Sequence, residues 1–435
     1  MSLDLGLELF VSHLLNIRPE QILSLSEITQ SQGDIVIKIK LQDNRLPCPY
    51  CRQIPKIQGY YQRQLTHSTF ANRKCTLVYL QRRYKCDNCN LTFHERNPFT
   101  STSDNSTYET KINILNDLKN PGETYTVVAN RYNVGKSTVL RIFDKYVDIE
   151  RKPLPAVLSM DEHHFPNSEN DAKYCLLLMD FITGTIIDIL PDRKKMSVTK
   201  YFSDIKAATF NYSTHTSELD NVKYVSIDMY DNYRDIARNM FPNAIICADS
   251  FHVLEHLTND FHHVRMHCYK STENPTLKYL LQKFKYIFRH KQNLDKPGKY
   301  NRSLGRYTTY RDIRDILFNS FPELKVAYNL KELYIIFNET PHKNNIGEEL
   351  DRLRDMFADC GIPQYDEFYT LLTNWRQEII NSFTYIDGKR INNSYIESKN
   401  RQLERLLYAG NRFSNFKRTR NRILYCLNKN DTYLF

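Results

Sequence analysis

Apolar residues recur at helical spacing through Leu3, Leu7, Phe10, Val11, Leu14 and Leu15, which predicts a short amphipathic helix over residues 3–17. The stretch DIVIKIKL, Asp34–Leu41, alternates apolar and polar positions as a half-exposed strand does. A second alternating run covers Thr76–Arg82. Two turn-rich segments, TSTSDNST and KNPGE, flank a helical run over Tyr108–Leu118, and a helical pair follows to about residue 148 before Pro153 and Pro155 break the chain. Strand-like runs then cover 156–160, 174–181, 185–190, 223–227 and 244–247. From Phe251 to about Ile380 the pattern is mostly helical, with turn breaks near 274–275, 295–298 and 341–345, and a last helical segment begins near Ser394. Strands, a long helical block and one more helix predict a multidomain α+β chain whose α/β core is interrupted by a helical insertion.

Length and composition narrow the class. At ~100–200 residues per domain, 435 residues predict two to four domains. Hydrophobic residues at 41% and charged residues at 25% exclude a disordered chain. No apolar run reaches the roughly 20 residues of a spanning helix, so no membrane partner is expected. Asp4 and Glu8 precede any basic residue, which makes the N-terminus a poor secretory signal and a cytoplasmic location the expectation.

The formal charge of +10 is unevenly placed. Ten basic residues between Arg45 and Arg96 face only Asp87 and Glu95, and ten between Lys389 and Arg422 face only Glu397 and Glu404. Each island therefore nets +8 and the remainder −6. Two basic islands on an acidic body predict two surfaces for nucleic acid, with Arg82, Arg83 and Lys85 as contacts in the first.

Four of the ten cysteines form Cys48-Pro-Tyr-Cys51 and Cys86-Asp-Asn-Cys89. Paired C-x-x-C knuckles let four thiolates close a tetrahedron around structural Zn²⁺. The 34 residues between the knuckles exceed common spacings and are expected to form bridging strands. Cys75, His67 and His94 lack a partner at knuckle spacing, and a redox role is disfavoured because neither knuckle opens a helix in a βαβ setting.

The segment ETYTVVANRYNVGKSTVLRIFDKY has the form of a helix-turn-helix, with the turn at Asn133-Val134-Gly135 and small residues Ala129 and Gly135 permitting a close crossing. Its second helix would present Lys136, Ser137, Thr138 and Arg141 to a DNA groove. Gly135-Lys136-Ser137 imitates a phosphate-binding loop, but Asn130 stands where that motif needs Gly.

Asp161 and Asp228 each follow a predicted strand, and Glu397 opens the last basic helix. Carboxylates from separate elements can hold two Mg²⁺ ions for phosphodiester chemistry. Bland readings compete: an Asp after a strand is often a turn residue, and Ser394-Tyr-Ile-Glu397 fits a capping box. Arg401 and Arg405 follow Glu397 on one helix face, where they could hold a DNA backbone. His252-Val-Leu-Glu255-His256 also fits the H-x-x-E-H pattern of inverted zinc peptidases, a reading that leaves the cysteine knuckles, the helical pair and both basic islands unused. Trp375, the only tryptophan, is expected in the core.

The segments CPYC, RRYKCDNCNLTFHE, SMDEHHF, VSIDMYDNYRDIARNMFPNAIICADSFHVLEHL and NNSYIESKNRQLERLLYAGNRFSNFKRTRNRIL together resemble DDE transposases of bacterial insertion sequences, specifically the ISL-three family. The resemblance implies an RNase H-like core with Asp161, Asp228 and Glu397 as the acidic triad holding Mg²⁺ or Mn²⁺. Asp249 and His252 match a further motif as accessory residues, and Ser398 replaces the family's usual Gly. It also implies that the chain binds terminal inverted repeats and target DNA as a dimer or larger assembly at the nucleoid. The expected layout is an N-terminal helix and strand (1–43), a zinc module (44–99), a helix-turn-helix domain (100–150), the first part of the core (154–255), the helical insertion (256–380) and the last part of the core (381–435). The alternative from another class is a DNA-binding regulator that does not cut DNA.

Overall fold

A computed structural model describes the chain except residues 1, 32–33, 71–72, 102–103, 166–172, 342–344, 392–393, 410–414 and 435, and except the side chains of 2–5, 7, 26–31, 69–70, 394–397 and 409. Two compact units emerge: Met1–Glu150 joined by Gln402–Phe435, and Arg151–Arg401. Among the described residues no helix is long and apolar enough to cross a membrane.

The first unit opens with α1 (Ser2–Leu15), then β1 (Ile22–Ser31), β2 (Asp34–Leu41), β3 (Lys56–Phe70), β4 (Arg73–Lys85) and β5 (Thr92–His94). The strands form one sheet in the order β1-β2-β4-β3, with β5 on β4. The alternation read in β2 is real: Ile37, Ile39 and Leu41 are buried with Leu65, Leu77 and Val11. β2 pairs in parallel with β4, Ile35 opposite Cys75, so residues 1–43 share one sheet with the cysteine knuckles and are not a separate piece. Three helices follow, α2 (Tyr108–Leu118), α3 (Tyr125–Arg131) and α4 (Lys136–Tyr146). Thr107 and Thr124 cap α2 and α3 by accepting from the N–H groups of Thr110 and Val127. Val128, Ala129, Val139 and Ile142 are buried where these helices meet. Gly135 is not at the crossing. It is exposed and starts α4 in an extended conformation, while Asn133 takes the left-handed turn at φ 52°.

The second unit carries a sheet of β6 (Val157–His164), β7 (Tyr174–Asp180), β8 (Ile186–Leu190), β9 (Tyr224–Ile227) and β10 (Ile245–Ala248), ordered β10-β9-β6-β7-β8. β6, β9 and β10 run parallel, and β7 and β8 add antiparallel. α5 (Lys195–Thr209) and α6 (Asp231–Met240) make the crossovers that parallel neighbours require. The apolar runs of these strands reflect burial on both faces, with Leu158, Met160, Leu176 and Val225 packed beneath Phe202 and Ile236.

A helical block follows: α7 (Ser250–Ser271), α8 (Pro275–Lys283), the hairpin β11 (Lys299–Asn301) and β12 (Arg306–Thr308), then α9 (Tyr310–Ser320), α10 (Pro322–Glu339), α11 (Ile346–Ala358), α12 (Asp366–Asn374) and α13 (Arg376–Asn381). The short pair β13 (Tyr385–Ile386) and β14 (Lys389–Arg390) leads to α14 (Ser394–Ala409). Trp375 is buried, with the Arg234 guanidinium 4.2 Å from its ring centre.

The single last helix expected from sequence is two helices, α14 and α15 (Phe416–Leu427). The residues from Gln402 onward belong to the first unit, not to the core as the 381–435 boundary implied. The reason is packing: Tyr425 lies 6.1 Å from Phe143 ring to ring and donates to the Leu115 carbonyl at 3.0 Å.

Both basic islands are partly consumed inside the fold. Arg82 is only 1% exposed; it pairs with Glu95 at 2.9 Å and donates to the carbonyls of Leu41 and Gln42. This burial rules out the DNA contact expected of Arg82: a guanidinium so enclosed and bonded to the fold cannot reach phosphate. In the second island Arg418 pairs with Asp144, Lys417 pairs with Asp148, and buried Arg422 donates to the carbonyls of Asn120 and Glu123. Arg83 remains exposed and Lys85 half-buried, and neither forms an ion pair among the described residues.

Arg82→Ala leaves the Glu95 carboxylate only the Tyr79 hydroxyl and the backbone N–H of position 82, and is expected to cost about 2–3 kcal/mol of stability. Arg83→Ala should change it by less than about 0.5 kcal/mol. Denaturant midpoints of the two variants check this; equal midpoints would show that the buried pair does not hold the sheet.

Candidate active site

The parallel register builds the acidic site. Val157 of β6 stands opposite Tyr224 of β9, and Ile245 of β10 stands opposite the same Tyr224. Counting four residues along each strand from that row brings Asp161, Asp228 and Asp249 to one level. β9 and β10 end at Ile227 and Ala248, so Asp228 and Asp249 are the first residues beyond them. β6 does not stop at Met160 as the sequence suggested. It continues to His164 along β7, and Asp161 lies within it, just past its last pairing with β9 at Ser159.

Asp249 caps α7, its carboxylate accepting from the Phe251 N–H at 3.1 Å, and is only 1% exposed. The first turn of α7 then carries His252 over the aspartates. Its Nε2 lies 3.0 Å from Asp228, 3.7 Å from Asp249 and 3.9 Å from Asp161, and its Nδ1 is 3.2 Å from Glu255. Asp161 is fixed on both oxygens: Oδ1 accepts from the Glu162 N–H at 2.8 Å and Oδ2 from Asn400 Nδ2 at 2.7 Å. Glu162 is turned away from this cluster, where it accepts from Tyr233 at 2.7 Å and pairs with Arg193.

Burial pushes the Asp161 carboxyl up to about 7, and the charge on Asp228 adds to that; His252 and Asn400 pull the other way. Burial alone would lower the His252 imidazole. The hydrogen bond to Asp228 and the charges of all three aspartates outweigh it and raise the ring to about 10.

Asp161, Asp228 and His252 offer ligand atoms within 4.8 Å of one another, a set that could hold a metal ion. Two carboxylates suit a hard divalent cation, and the added imidazole suits Mn²⁺ better than Mg²⁺. Asp249 is beside the group but not in it. The Glu397 side chain lies outside the described residues; its backbone belongs to α14. His256 is exposed and joins no metal-binding group among the described residues, so the peptidase trio does not assemble. Asn400 belongs to none of the motifs read from the sequence, and its only signal there is its place three residues after Glu397 on a helix, which makes it a same-face neighbour.

The four knuckle cysteines also converge within 4.8 Å, with Cys48 and Cys89 sulfurs 3.5 Å apart and Cys51 and Cys86 3.3 Å apart. The knuckles are built alike: Cys48 and Cys86 N–H groups donate to Gln53 and Leu91 carbonyls, and Arg52 and Asn90 turn the chain at φ 60° and 56°. A tetrahedron with metal–sulfur bonds of ~2.3 Å has edges of about 3.8 Å, so the cluster fits zinc with little adjustment. Cys75 is buried core, and His67 bonds Thr107 Oγ1 at 3.0 Å.

On α4, Lys136 and Ser137 are exposed and Thr138 is half-buried. Arg141 is exposed but pairs with Asp104 at 2.7 Å, a buried carboxylate also held by Lys111. Arg401 and Arg405 are exposed on α14.

In metal-free protein, the carboxylates facing His252 should keep its ring protonated throughout neutral pH. NMR titration of the ring should show no midpoint between about pH 6 and 8, and Asp228→Asn should bring the midpoint down toward the ordinary 6.5. A wild-type midpoint near 6.5 would contradict the geometry.

Residues 158–423, more than half of the chain, match a family model described as transposase, of the ISL-three DDE type. The match spans Asp161, Asp228, Asp249, His252, Glu397 and Asn400, and leaves the cysteine cluster and α2–α4 outside it. No curated protein matches the chain. With that match and the acidic site built on its parallel strands, the chain belongs to the ISL-three family of DDE transposases.

Proposed function

We propose that the chain cuts the ends of an insertion sequence and joins them to target DNA at a site formed by Asp161, Asp228 and Glu397. One observation carries the reading: the in-register meeting of Asp161 and Asp228 at a buried strand edge, within the span matched by the transposase family. The sheet order β10-β9-β6-β7-β8, three parallel strands extended by two antiparallel ones, supports an RNase H-like core.

Asp161 and Asp228 would supply carboxylate ligands from the sheet and Glu397 the third from α14. The i, i+3 relation puts position 397 on the same helix face as Asn400, whose amide is bonded to Asp161. Bound Mg²⁺ or Mn²⁺ would stabilise the charge that develops on the scissile phosphate and activate the attacking oxygen. Asn400 acts as a positioning residue that keeps the Asp161 carboxylate in one orientation. His252 offsets the repulsion among the aspartates in the unloaded site.

In the first unit the Cys48, Cys51, Cys86 and Cys89 cluster would hold structural Zn²⁺. The α3–α4 pair would act as a helix-turn-helix, with Lys136, Ser137 and Thr138 at the groove. Arg83, Lys85, Arg401 and Arg405 would add phosphate contacts. Arg141 can reach DNA only by releasing Asp104, which makes it a weaker candidate than its neighbours. Synapsis of two element ends requires two or more copies of the chain.

Purified protein with Mg²⁺ or Mn²⁺ should nick DNA carrying the inverted repeats that flank its gene. Asp161→Asn and Glu397→Gln should each lower cleavage by at least about a thousandfold while end binding stays within about twofold. Wild-type protein that binds the ends but never cuts them would replace this reading with that of a regulator.

A further inference from the structure

The β11–β12 hairpin is not accounted for by the acidic site or by either basic island. Lys299, Tyr300 and Asn301 pair with Thr308, Tyr307 and Arg306, and Gly305 closes the turn at φ +65°. Gly298 brings the chain against β12 where a Cβ would come within 3.2 Å of the Thr308 backbone, so the hairpin's path is closely specified. Asn301 and Thr308 are buried on one side of it. The other side carries Tyr300 and Tyr307 directly opposite one another, 56% and 74% exposed, their ring centres 5.6 Å apart at 70°.

Around this pair the chain is basic in a body that is otherwise acidic. Six basic residues between Lys291 and Arg311 face only Asp295. Lys291 and Arg311 are paired with Glu339 and Asp295. Lys296, Lys299, Arg302 and Arg306 are exposed and form no ion pair among the described residues. A solvated hairpin needs the charges but has no use for two exposed aromatic rings. Rings that can stack on bases, flanked by cations that can hold phosphates, are the composition of a surface for single-stranded nucleic acid.

We propose that the β11–β12 hairpin is a DNA-contacting surface that stacks Tyr300 and Tyr307 on unpaired bases and holds the adjoining backbone with Arg302 of the turn. This rests on the reading of the chain as an enzyme that acts on DNA, and it adds a contact class of its own: bases exposed at an opened or nicked end.

The test uses the full chain with a fluorescent duplex, blunt or bearing a single-stranded tail. Tyr300→Ala with Tyr307→Ala should weaken binding to the tailed duplex by about tenfold or more and leave the blunt duplex nearly unchanged, and the double Phe variant should keep wild-type affinity. Arg302→Ala should flatten the salt dependence by about 0.7, the slope of one lost contact on the single strand. These side chains are exposed, so the fold should tolerate every substitution. Wild-type behaviour of all variants on both DNAs would overturn the proposal, as would Tyr-to-Ala variants that alter only sedimentation and so reveal an interface between copies. Wild-type cleavage with unaffected variants would remove the hairpin inference alone. Weakened variants of a protein that never cuts DNA would remove the catalytic reading alone.

Discussion

Everything in the second unit that bears on chemistry depends on the parallel pairing of β6 with β9 and of β9 with β10. That register carries Asp161 and Asp228, 67 positions apart in sequence, to the same level of one sheet edge. A slip of one residue in either strand would reverse the faces and separate the carboxylates. The two faces are not equivalent: Leu158, Met160, Val225 and Ile227 fill the main core while Ser159 and Ser226 face the other way, so a slip would turn the serines into that core. Packing of the core thus supports the close approach of like charges, which no local interaction between the aspartates would favour. His252 and Asn400 then complete the site from two helices, one balancing charge and one fixing orientation.

The same economy of charge runs through the first unit. Residues that look like a polyanion surface in sequence are divided in three dimensions between solvent and the fold. Arg82 and Arg422 lie inside, bonded to carbonyls, with Arg82 also paired to Glu95, while Arg83 stays outside. Net charge in a window cannot distinguish the two uses. The distinction depends on partners such as Glu95, 13 residues from Arg82, and Asn120, about 300 residues from Arg422.

This marks what could be read from the chain. The cysteine knuckles were readable because C-x-x-C spacing is itself the local geometry of a ligand pair. The alternating strand at Asp34–Leu41 and the apolar strands before Asp228 and Asp249 were readable from periodicity. Three features were not. The continuation of β6 beyond Asp161 depends on pairing with β7, since the residues EHH carry no strand pattern of their own. The return of α15 to the first unit depends on Leu115 and Phe143, residues remote in sequence. The basic hairpin within the helical block is too short to show a period, and only its pairing reveals that its two tyrosines are neighbours.

The central claim is that residues from separate strands form one divalent-cation site, and Mn²⁺ binding followed by electron paramagnetic resonance on the zinc-loaded protein tests it most directly. Wild-type protein should bind Mn²⁺, and Asp161→Asn and Asp228→Asn should each abolish the same high-affinity binding, because both carboxylates serve one cluster. Undiminished Mn²⁺ binding in both variants would contradict the account.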